Sequence, residues 1–331
     1  MSEINIKQNG REEQIPIVNR DEIRLAMLGM VDGNGHPYSW SAMFNGFDPE
    51  GMSKCPYPVI PVYLGKEPKE TMQIKNAKIT HIWTDNPEDA VNVAKAAFIP
   101  NIVEKPEDVI GKVDAVIIAT DKGHEHVERC RPFVEAGLPI FVDKPMVDNI
   151  HDLKIFSNWV KDGAKIMSSS CMRYSKEFLP YQISTNNLGD IRYASISTPK
   201  TWEQYGIHAL EGLYSIIGPG FVSVRNTGSI DKNIVHLKHA CGADVNIIAI
   251  NDMYGAFGVM ELLGTAGNVQ TAFSDTFYAF KSQLQAYIQY LRTGIRPFPF
   301  SETEELMKII IAGIQSREEG GKEIRLDEIK I

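Results

Sequence analysis

The feature that most constrains the fold is a regular alternation of apolar runs and helix-like segments between residues 78 and 169. Short apolar runs predict buried strands, and the periodic segments between them predict helices. The strands are expected at residues 78–83, 101–103, 113–120, 138–142 and 165–169, and the helices at 87–98, 124–136 and 150–161. Such an alternation predicts an α/β fold, a Rossmann-type doubly wound parallel sheet with right-handed crossovers.

The N-terminal part adds a first strand and an unusual insertion. Residues 23–28 are apolar and end at Gly29, and Pro37 sits where a helix over residues 38–44 begins. Residues 46–76 contain five prolines and are predicted to be mostly irregular. Because this segment leaves the first strand–helix unit, we expect it to border the mouth of a ligand site. Residues 1–22 are predicted to be a polar leader.

After residue 170 the pattern changes to successive strands. These are expected at residues 191–198, 221–227, 233–238, 243–251 and 258–265, with helices at 206–217, 275–293 and 301–316. This order predicts a C-terminal α+β domain with a large open, mainly antiparallel sheet. The predicted division is a Rossmann domain at 23–170 and a second domain at 171–331.

Charge and cysteine usage exclude several classes of protein. Lys and Arg number 34 against 42 Asp and Glu, a net charge of −8, which argues against a nucleic-acid partner. The four cysteines are far apart, so their spacing predicts neither a metal site nor a redox pair. The N-terminus lacks a signal-peptide pattern, and no apolar stretch is long enough to cross a membrane. A cytoplasmic protein without a membrane partner is expected.

The turn after the first strand has the glycines of a nucleotide site. Gly29, Gly33 and Gly35 would let backbone N–H groups approach a pyrophosphate at a helix N-terminus, with Asn34 beside them. Val31 stands where the second glycine of the usual fingerprint would be, so the turn alone is equally typical of a tight turn. His36 either faces the cofactor or caps the helix at Pro37.

Asp85 follows the second predicted strand, where a carboxylate can bind both ribose hydroxyls of NAD. It could instead cap the helix that starts at Pro87. No cation follows it directly, since the next residues are Asn86, Pro87 and Glu88, so NAD is favoured over NADP. Asp143, Lys144 and Pro145 end another strand. There Lys144 could polarise a substrate hydroxyl or hold the ribose, although a Lys-Pro pair is also common in ordinary surface loops.

Several short motifs occur in a characteristic order. Ala119-Thr120 ends the strand at 113–120, His126 follows, residues 135–137 read Glu-Ala-Gly, and Asp143-Lys144-Pro145 comes next. Further motifs lie at residues 189–191, 206–208, 263–267 and 316–321. In order and spacing, these motifs resemble the Gfo/Idh/MocA oxidoreductases over nearly the whole chain beyond residue 23.

The resemblance implies an NAD(H)-dependent dehydrogenase that oxidises a secondary alcohol of a sugar, inositol or related polyol. It makes Lys144 a residue between nicotinamide and substrate, and His208 the acid/base. An Asp often precedes this histidine by four residues in the family; here Gln204 occupies that position, and Glu203, Tyr205 or Trp202 are candidate substitutes.

The expected cofactor contacts are Gly29, Gly33, Asn34, Gly35, His36, Asp85, Thr120, His126, Asp143, Lys144 and Pro145, and the expected substrate contacts are Arg173, Tyr174, Gln204 and His208. Arg173 and Tyr174 are as compatible with a structural ion pair and a core aromatic. His124 and His126 near Asp121 have no further ligands at a metal-binding spacing, so no metal is expected.

Two other activities fit the same resemblance: an enzyme of the family that recycles bound NAD while processing glycosides, and an NAD-binding sensor or scaffold without catalysis. The resemblance also implies a homodimer or homotetramer, formed through the second domain.

Overall fold

The computed structural model describes residues 20–331, so most of the predicted leader at 1–22 lies outside the described residues. The first half of the described residues contains a sheet of six strands that is fully parallel, as predicted. Its strand order is β3-β2-β1-β4-β5-β6. Its strands are β1 (Ile23–Leu28), β2 (Ala77–Trp83), β3 (Asn101–Ile102), β4 (Ala115–Ile118), β5 (Ile140–Val142) and β6 (Ile166–Ser168). The strand order reverses between β1 and β4, which is where sheets of this type bind ligands.

Seven α-helices lie between the strands of this sheet along the chain. They are α1 (His36–Asn45), α2 (Pro49–Met52), α3 (Val59–Leu64), α4 (Lys69–Met72), α5 (Pro87–Ala96), α6 (His126–Glu135) and α7 (Ile150–Lys161). The prediction that residues 46–76 are mostly irregular is confirmed, since most of them lie outside helices and strands, but the segment also contains three short helices, α2, α3 and α4. Pro49 begins α2, and Pro58 and Pro68 directly precede α3 and α4. Proline is tolerated there because N–H groups in a first helical turn have no acceptor within the helix.

The second sheet has seven strands in the order β12-β11-β7-β10-β9-β8-β13 and is mainly antiparallel, as predicted; only β7 and β10 pair in parallel. In this half of the chain, the strands β12 and β13 and the short helix α8 were not predicted. The elements are α8 (Leu179–Ile183), β7 (Ile191–Pro199), α9 (Trp202–Ile217), β8 (Phe221–Asn226), β9 (Lys232–His239), β10 (Asp244–Ile250), β11 (Val259–Gly264), β12 (Asn268–Ala272), α10 (Thr276–Thr293), α11 (Phe300–Glu318) and β13 (Ile324–Arg325).

Helix α9 begins four residues earlier than predicted because Trp202 anchors its first turn. The indole is fully buried, and its Nε1 donates to the carbonyl oxygen of Ile310 in α11 at 2.9 Å. Gly206 and Gly313 make room for the ring, since a Cβ at either position would lie within 2.5 Å of an indole atom. The anchored turn fixes the part of α9 that carries His208.

Helix α10 follows the second sheet in sequence but packs on the first sheet. Phe277, Leu284 and Tyr287 join the same apolar cluster as Leu25 of β1, and the Tyr287 hydroxyl donates to the carbonyl oxygen of Val116 at 3.3 Å. One face of the parallel sheet is therefore covered jointly by α1, α5 and α10. Over residues 20–331, no helix is both long and apolar enough to span a membrane.

Candidate active site

A buried carboxylate organises the carboxyl edge of the parallel sheet. Asp143 directly follows β5 and has no exposed surface. Its Oδ2 accepts from Asn34 Nδ2 at 2.9 Å and lies 2.5 Å from His36 Nδ1, while its Oδ1 accepts from the Lys144 backbone N–H at 2.7 Å. Burial raises the pKa of Asp143, but the neighbouring His36, Lys144 and Asn34 more than offset this, so its pKa is lowered. Asp143 therefore joins the glycine turn to Lys144.

The glycine turn itself has the geometry that its residues predict. Gly29 and Gly33 adopt left-handed backbone conformations, with φ of 88° and 84°, and a Cβ on Gly29 would lie 2.7 Å from Thr120 Cγ2. Gly35 caps α1 without a side-chain hydrogen bond, so His36 is the first helical residue and not the cap. The first turn of α1 is not open, because the His36 N–H donates to Asn34 Oδ1 at 2.9 Å and Pro37 has no N–H. The Tyr38 N–H donates to the Gly35 carbonyl oxygen at 3.1 Å, so an anion would have to bind at the glycine turn itself.

Lys144 is buried beside a carboxylate that the sequence did not identify as its partner. Its Nζ lies 3.6 Å from Asp121 Oδ2 and 4.5 Å from the centre of the Tyr205 ring. Burial lowers the pKa of Lys144, but Asp121, followed by Tyr205, Asp143 and Cys171, outweighs it and raises the pKa. The side chain is therefore a cation at neutral pH. The other Asp121 oxygen, Oδ1, is buried and has no hydrogen-bond partner in residues 20–331.

His208 reaches the same place from the second domain. Its Nδ1 lies 2.7 Å from Ser170 Oγ, and its ring packs edge-on against Tyr205 and Phe257. Burial, reinforced by the neighbouring Lys144, His36 and Lys200, lowers the pKa of His208 well below its usual value of 6.5. The imidazole is therefore neutral at neutral pH, and Ser170 leaves Nε2 as the nitrogen available to a ligand.

A cavity of about 470 Å³ connects these groups. It lies between the glycine turn and the second domain, and α3 forms part of its wall. Tyr57, Ile60 and Tyr63 contribute from the proline-rich segment, so the prediction that this segment borders the site is confirmed. Among the predicted site residues, those that line it are Gly33, Asn34, Gly35, His36, Lys144 and His208.

Asp85 lies at the opposite end of the glycine turn. Its Oδ2 accepts from the Met30 backbone N–H at 3.1 Å. It does not cap α5, because Asn86 does so by accepting from the Glu88 N–H. Its Oδ1 pairs at 2.7 Å with Arg129 of α6, a cation that is remote in sequence and that the residues following Asp85 did not reveal.

A crevice of about 230 Å³ lies next to this pair at the β1–β4 switch point. It is lined by the ends of three strands, Leu28, Trp83 and Ile118, and by Arg129 and Phe133 of α6. The crevice, the glycine turn and the larger cavity form a series along one edge of the sheet. These residues fit an extended dinucleotide, with the adenosine half at the crevice and the nicotinamide half beside Lys144.

Three predicted substrate contacts do not reach the cavity. Arg173 is held in a buried ion pair by Glu211 and Glu302, with the Glu302 contact at 2.8 Å, and its guanidinium lies 4.1 Å from the Phe298 ring centre. Assigning Arg173 to the substrate is therefore wrong, because its charge is used between α9 and α11. Tyr174 and Gln204 are also absent from the cavity wall.

Six predicted cofactor contacts are likewise not part of the cavity wall, namely Gly29, Asp85 and Asp143, described above, and Thr120, His126 and Pro145. His126 is fully buried, with Nδ1 2.9 Å from the Met146 carbonyl oxygen and Nε2 2.8 Å from that of Thr120. His126 therefore joins the loop that follows β4 to the loop that follows β5. Thr120 and Pro145 also lie outside the cavity wall. His124 is on the surface and pairs with Asp148. Within residues 20–331 no group of three His, Cys, Asp or Glu side chains is arranged to hold a metal.

Sequence reasoning missed Lys200 and Tyr57 at this site. Lys200 follows β7, lines the cavity, and places its Nζ 3.3 Å from the Gly33 carbonyl oxygen. The Tyr57 hydroxyl accepts from the Gly33 N–H at 3.0 Å. Neither lies in a motif, and a residue from a different domain cannot be placed opposite Gly33 by local pattern alone.

Comparison with known proteins gives a consistent result. Residues 62–169 match the model of the Gfo/Idh/MocA oxidoreductase family with an NAD-binding Rossmann fold. Inositol 2-dehydrogenase 1 of Saccharopolyspora erythraea is 25% identical over 199 residues, an alignment that spans 52% of this chain and 59% of that relative.

Solved structures share the fold over nearly the whole chain. A probable dehydrogenase from Thermotoga maritima superposes with a TM-score of 0.72 at 15% identity, covering 93% of this chain and all of the other. The scyllo-inositol dehydrogenase of Lactobacillus casei, solved with NAD(H) and scyllo-inositol, gives a TM-score of 0.72 at 13% identity, with 92% and 99% covered. Residues 62–169 therefore match the NAD-binding Rossmann model of the family that the sequence motifs resemble, and the chain shares its fold with the solved dehydrogenases.

Proposed function

We propose that this chain is an NAD(H)-dependent oxidoreductase that oxidises a secondary alcohol of a sugar, inositol or related polyol, or reduces the matching ketone. The observation that carries the proposal is the meeting of Lys144 and His208, from different domains, in one cavity beside the glycine turn. A buried cation and a neutral imidazole at that position are the two groups that oxidation of an alcohol requires.

NAD would be held along the carboxyl edge of the parallel sheet. The glycine turn would hold the pyrophosphate, Asp85 would accept from the adenosine ribose hydroxyls, and Lys144 would stand at the nicotinamide end. When bound, NAD supplies the hydride acceptor that the protein lacks. The protein supplies orientation and charge.

Lys144 and His208 divide the proton chemistry. The Lys144 ammonium donates a hydrogen bond to the substrate oxygen and stabilises the negative charge that develops there. His208 Nε2 would accept the hydroxyl proton as the alcohol is oxidised to the ketone, with bound NAD as the two-electron acceptor. This requires the tautomer in which Nδ1 carries the hydrogen and donates to Ser170 Oγ. In ketone reduction the same groups work in reverse.

The proposal also includes a cytoplasmic homodimer or homotetramer. Its support is the outer face of the second sheet, where Ile234, Val259 and Leu263 are all at least one-third exposed. The cysteines among the described residues are all unpaired, as in a reducing compartment. Light scattering of the purified protein is expected to give a multiple of 37.0 kDa, and a stable monomer would contradict the oligomer.

Cofactor choice depends on Asp85 and on the arginine beside it. In Asp85→Ser the ribose hydroxyls lose their acceptor, and Arg129, which Glu125 still holds at 2.7 Å, can meet a 2′-phosphate without the repulsion of Asp85. We expect NAD to bind about tenfold more weakly and NADP to bind more tightly, as measured by fluorescence titration of the reduced forms. The double variant Asp85→Ser/Arg129→Met is the control and should lose the gain for NADP. Equal weakening of both cofactors in Asp85→Ser would remove Asp85 from ribose recognition.

The cation at Lys144 is expected to act on turnover and not on cofactor affinity. Lys144→Met should lower kcat by roughly two to four orders of magnitude while NAD binding stays within about tenfold. The surface variant Lys122→Met is the matched control and should behave as wild type. Near-normal turnover in Lys144→Met would remove this lysine from the mechanism.

Asp121 provides a finer test of the same cation. Because Asp121 raises the pKa of Lys144, Asp121→Asn should move the alkaline loss of kcat/KM to lower pH. An unchanged alkaline limb would contradict the Asp121–Lys144 coupling.

The pH dependence tests His208. As the base it must be unprotonated, so kcat/KM for alcohol oxidation should fall on the acid side, with the midpoint below pH 6.5 because the pKa of His208 is lowered. Gln204→Asp should move this limb to higher pH, since a nearby negative charge favours the imidazolium. His208→Asn should abolish the limb, whereas the surface variant His124→Asn should retain it. A limb that stays fixed in Gln204→Asp and survives in His208→Asn would identify another base, with Tyr205 the first candidate.

A further inference from the structure

One of the lysines in the cavity wall lacks a partner of opposite charge. Asp121 is the one carboxylate in its wall, and it is engaged with Lys144. His36 has its partner in Asp143 behind the wall. Lys200 is left over: within residues 20–331 its contacts are the Gly33 carbonyl oxygen and the face of Tyr205, with no carboxylate at ion-pair distance. Lys200 is therefore a lysine of the cavity wall whose ammonium has no carboxylate partner among the described residues.

The backbone at Lys200 is also unusual. Its φ of 60° lies in the left-handed region, which non-glycine residues rarely adopt because the conformation is strained. Residues held in this way cluster at ligand sites, and here the strain directs a half-buried lysine into the cavity from the end of β7.

Lys200 and Lys144 stand around the same aromatic ring. Their Nζ atoms lie 4.3 Å and 4.5 Å from the centre of the Tyr205 ring. One small molecule can therefore contact both ammoniums. If Lys144 holds the reacting hydroxyl, Lys200 lies where another substituent of the same substrate would be.

We propose that Lys200 binds a carboxylate of the substrate, so that the enzyme acts on a hydroxylated sugar acid and not on a neutral polyol. This rests on the proposed function and narrows it. A neutral polyol would leave the Lys200 ammonium without a counter-charge in a partly desolvated site. One substrate carboxylate would neutralise it through a charge-assisted hydrogen bond. A single ammonium matches a single negative charge, which favours a carboxylate over a phosphate ester.

The pyrophosphate of NAD is the competing anion, because Lys200 also contacts Gly33. The experiment therefore measures substrate and cofactor separately. Wild type, Lys200→Met and Lys200→Arg are assayed for NADH formation with matched pairs, D-gluconate against D-sorbitol and D-glucuronate against D-glucose. The affinity for NADH is measured in parallel by fluorescence. Lys161→Met, a change at an exposed lysine of α7, is the control and should match wild type.

Wild type is expected to prefer the acid of at least one pair by tenfold or more in kcat/KM. Lys200→Met should lower kcat/KM for that acid by about 10- to 100-fold, the range for a lost charged hydrogen bond, and change the neutral partner by less than about twofold. Lys200→Arg should retain most of the preference, and NADH affinity should not change.

Equal losses for acid and neutral compounds would overturn the proposal. So would a fall in NADH affinity with an unchanged acid preference, which would assign Lys200 to the pyrophosphate. A stronger Lys200-dependent preference for glucose 6-phosphate than for the acids would overturn the choice of a carboxylate.

Calorimetry on the enzyme–NADH complex separates this proposal from the dehydrogenase function. If no compound is oxidised but an acid binds in a Lys200-dependent manner, the carboxylate site stands and the proposed oxidation by these compounds fails. If the acids bind no better than their neutral partners, the carboxylate site itself is wrong.

Discussion

The site depends on one buried negative charge. A carboxylate without exposed surface is unstable unless its oxygens are fully bonded, so Asp143 fixes the position of every group that bonds it. Those groups are Asn34 and His36 at the glycine turn and the backbone of Lys144. The same Asn34 amide also lies 3.4 Å from the Ala119 carbonyl oxygen at the end of β4. The glycine turn and Lys144 are thereby held in one rigid arrangement.

The protonation states of Lys144 and His208 depend on the charged groups beside them. Asp121 keeps Lys144 charged, and the charged Lys144, together with burial, keeps His208 neutral. The carboxylate that the family often places one helical turn before this histidine would work against that neutrality. Its replacement by Gln204 is therefore consistent with a chain that has its carboxylate on the loop after β4 instead.

The sequence predicted what local periodicity and short motifs determine. All strands except β12 and β13, the start of α1 and the motif lysine and histidine follow from apolar runs, proline positions and family spacing. Contacts between distant segments were not predictable in this way. Arg129 reaches Asp85 from α6, and Lys200 reaches Gly33 from the second domain. Arg173 was misassigned because nothing beside it in sequence reveals Glu211 and Glu302. The family match begins at residue 62, after the glycine turn where this chain departs most from the common fingerprint.

The position of α10 has a consequence for how the chain folds. The last strand of the parallel sheet ends at Ser168, yet residues 277–291 cover part of one apolar face of that sheet. During synthesis the first domain must therefore emerge with that face exposed to water until more than a hundred further residues have been made. Such long-range closure slows folding and leaves an aggregation-prone surface in the interval. A fragment that ends near residue 170 would keep that surface permanently, so the two halves of this protein are separate in sequence but interdependent in folding.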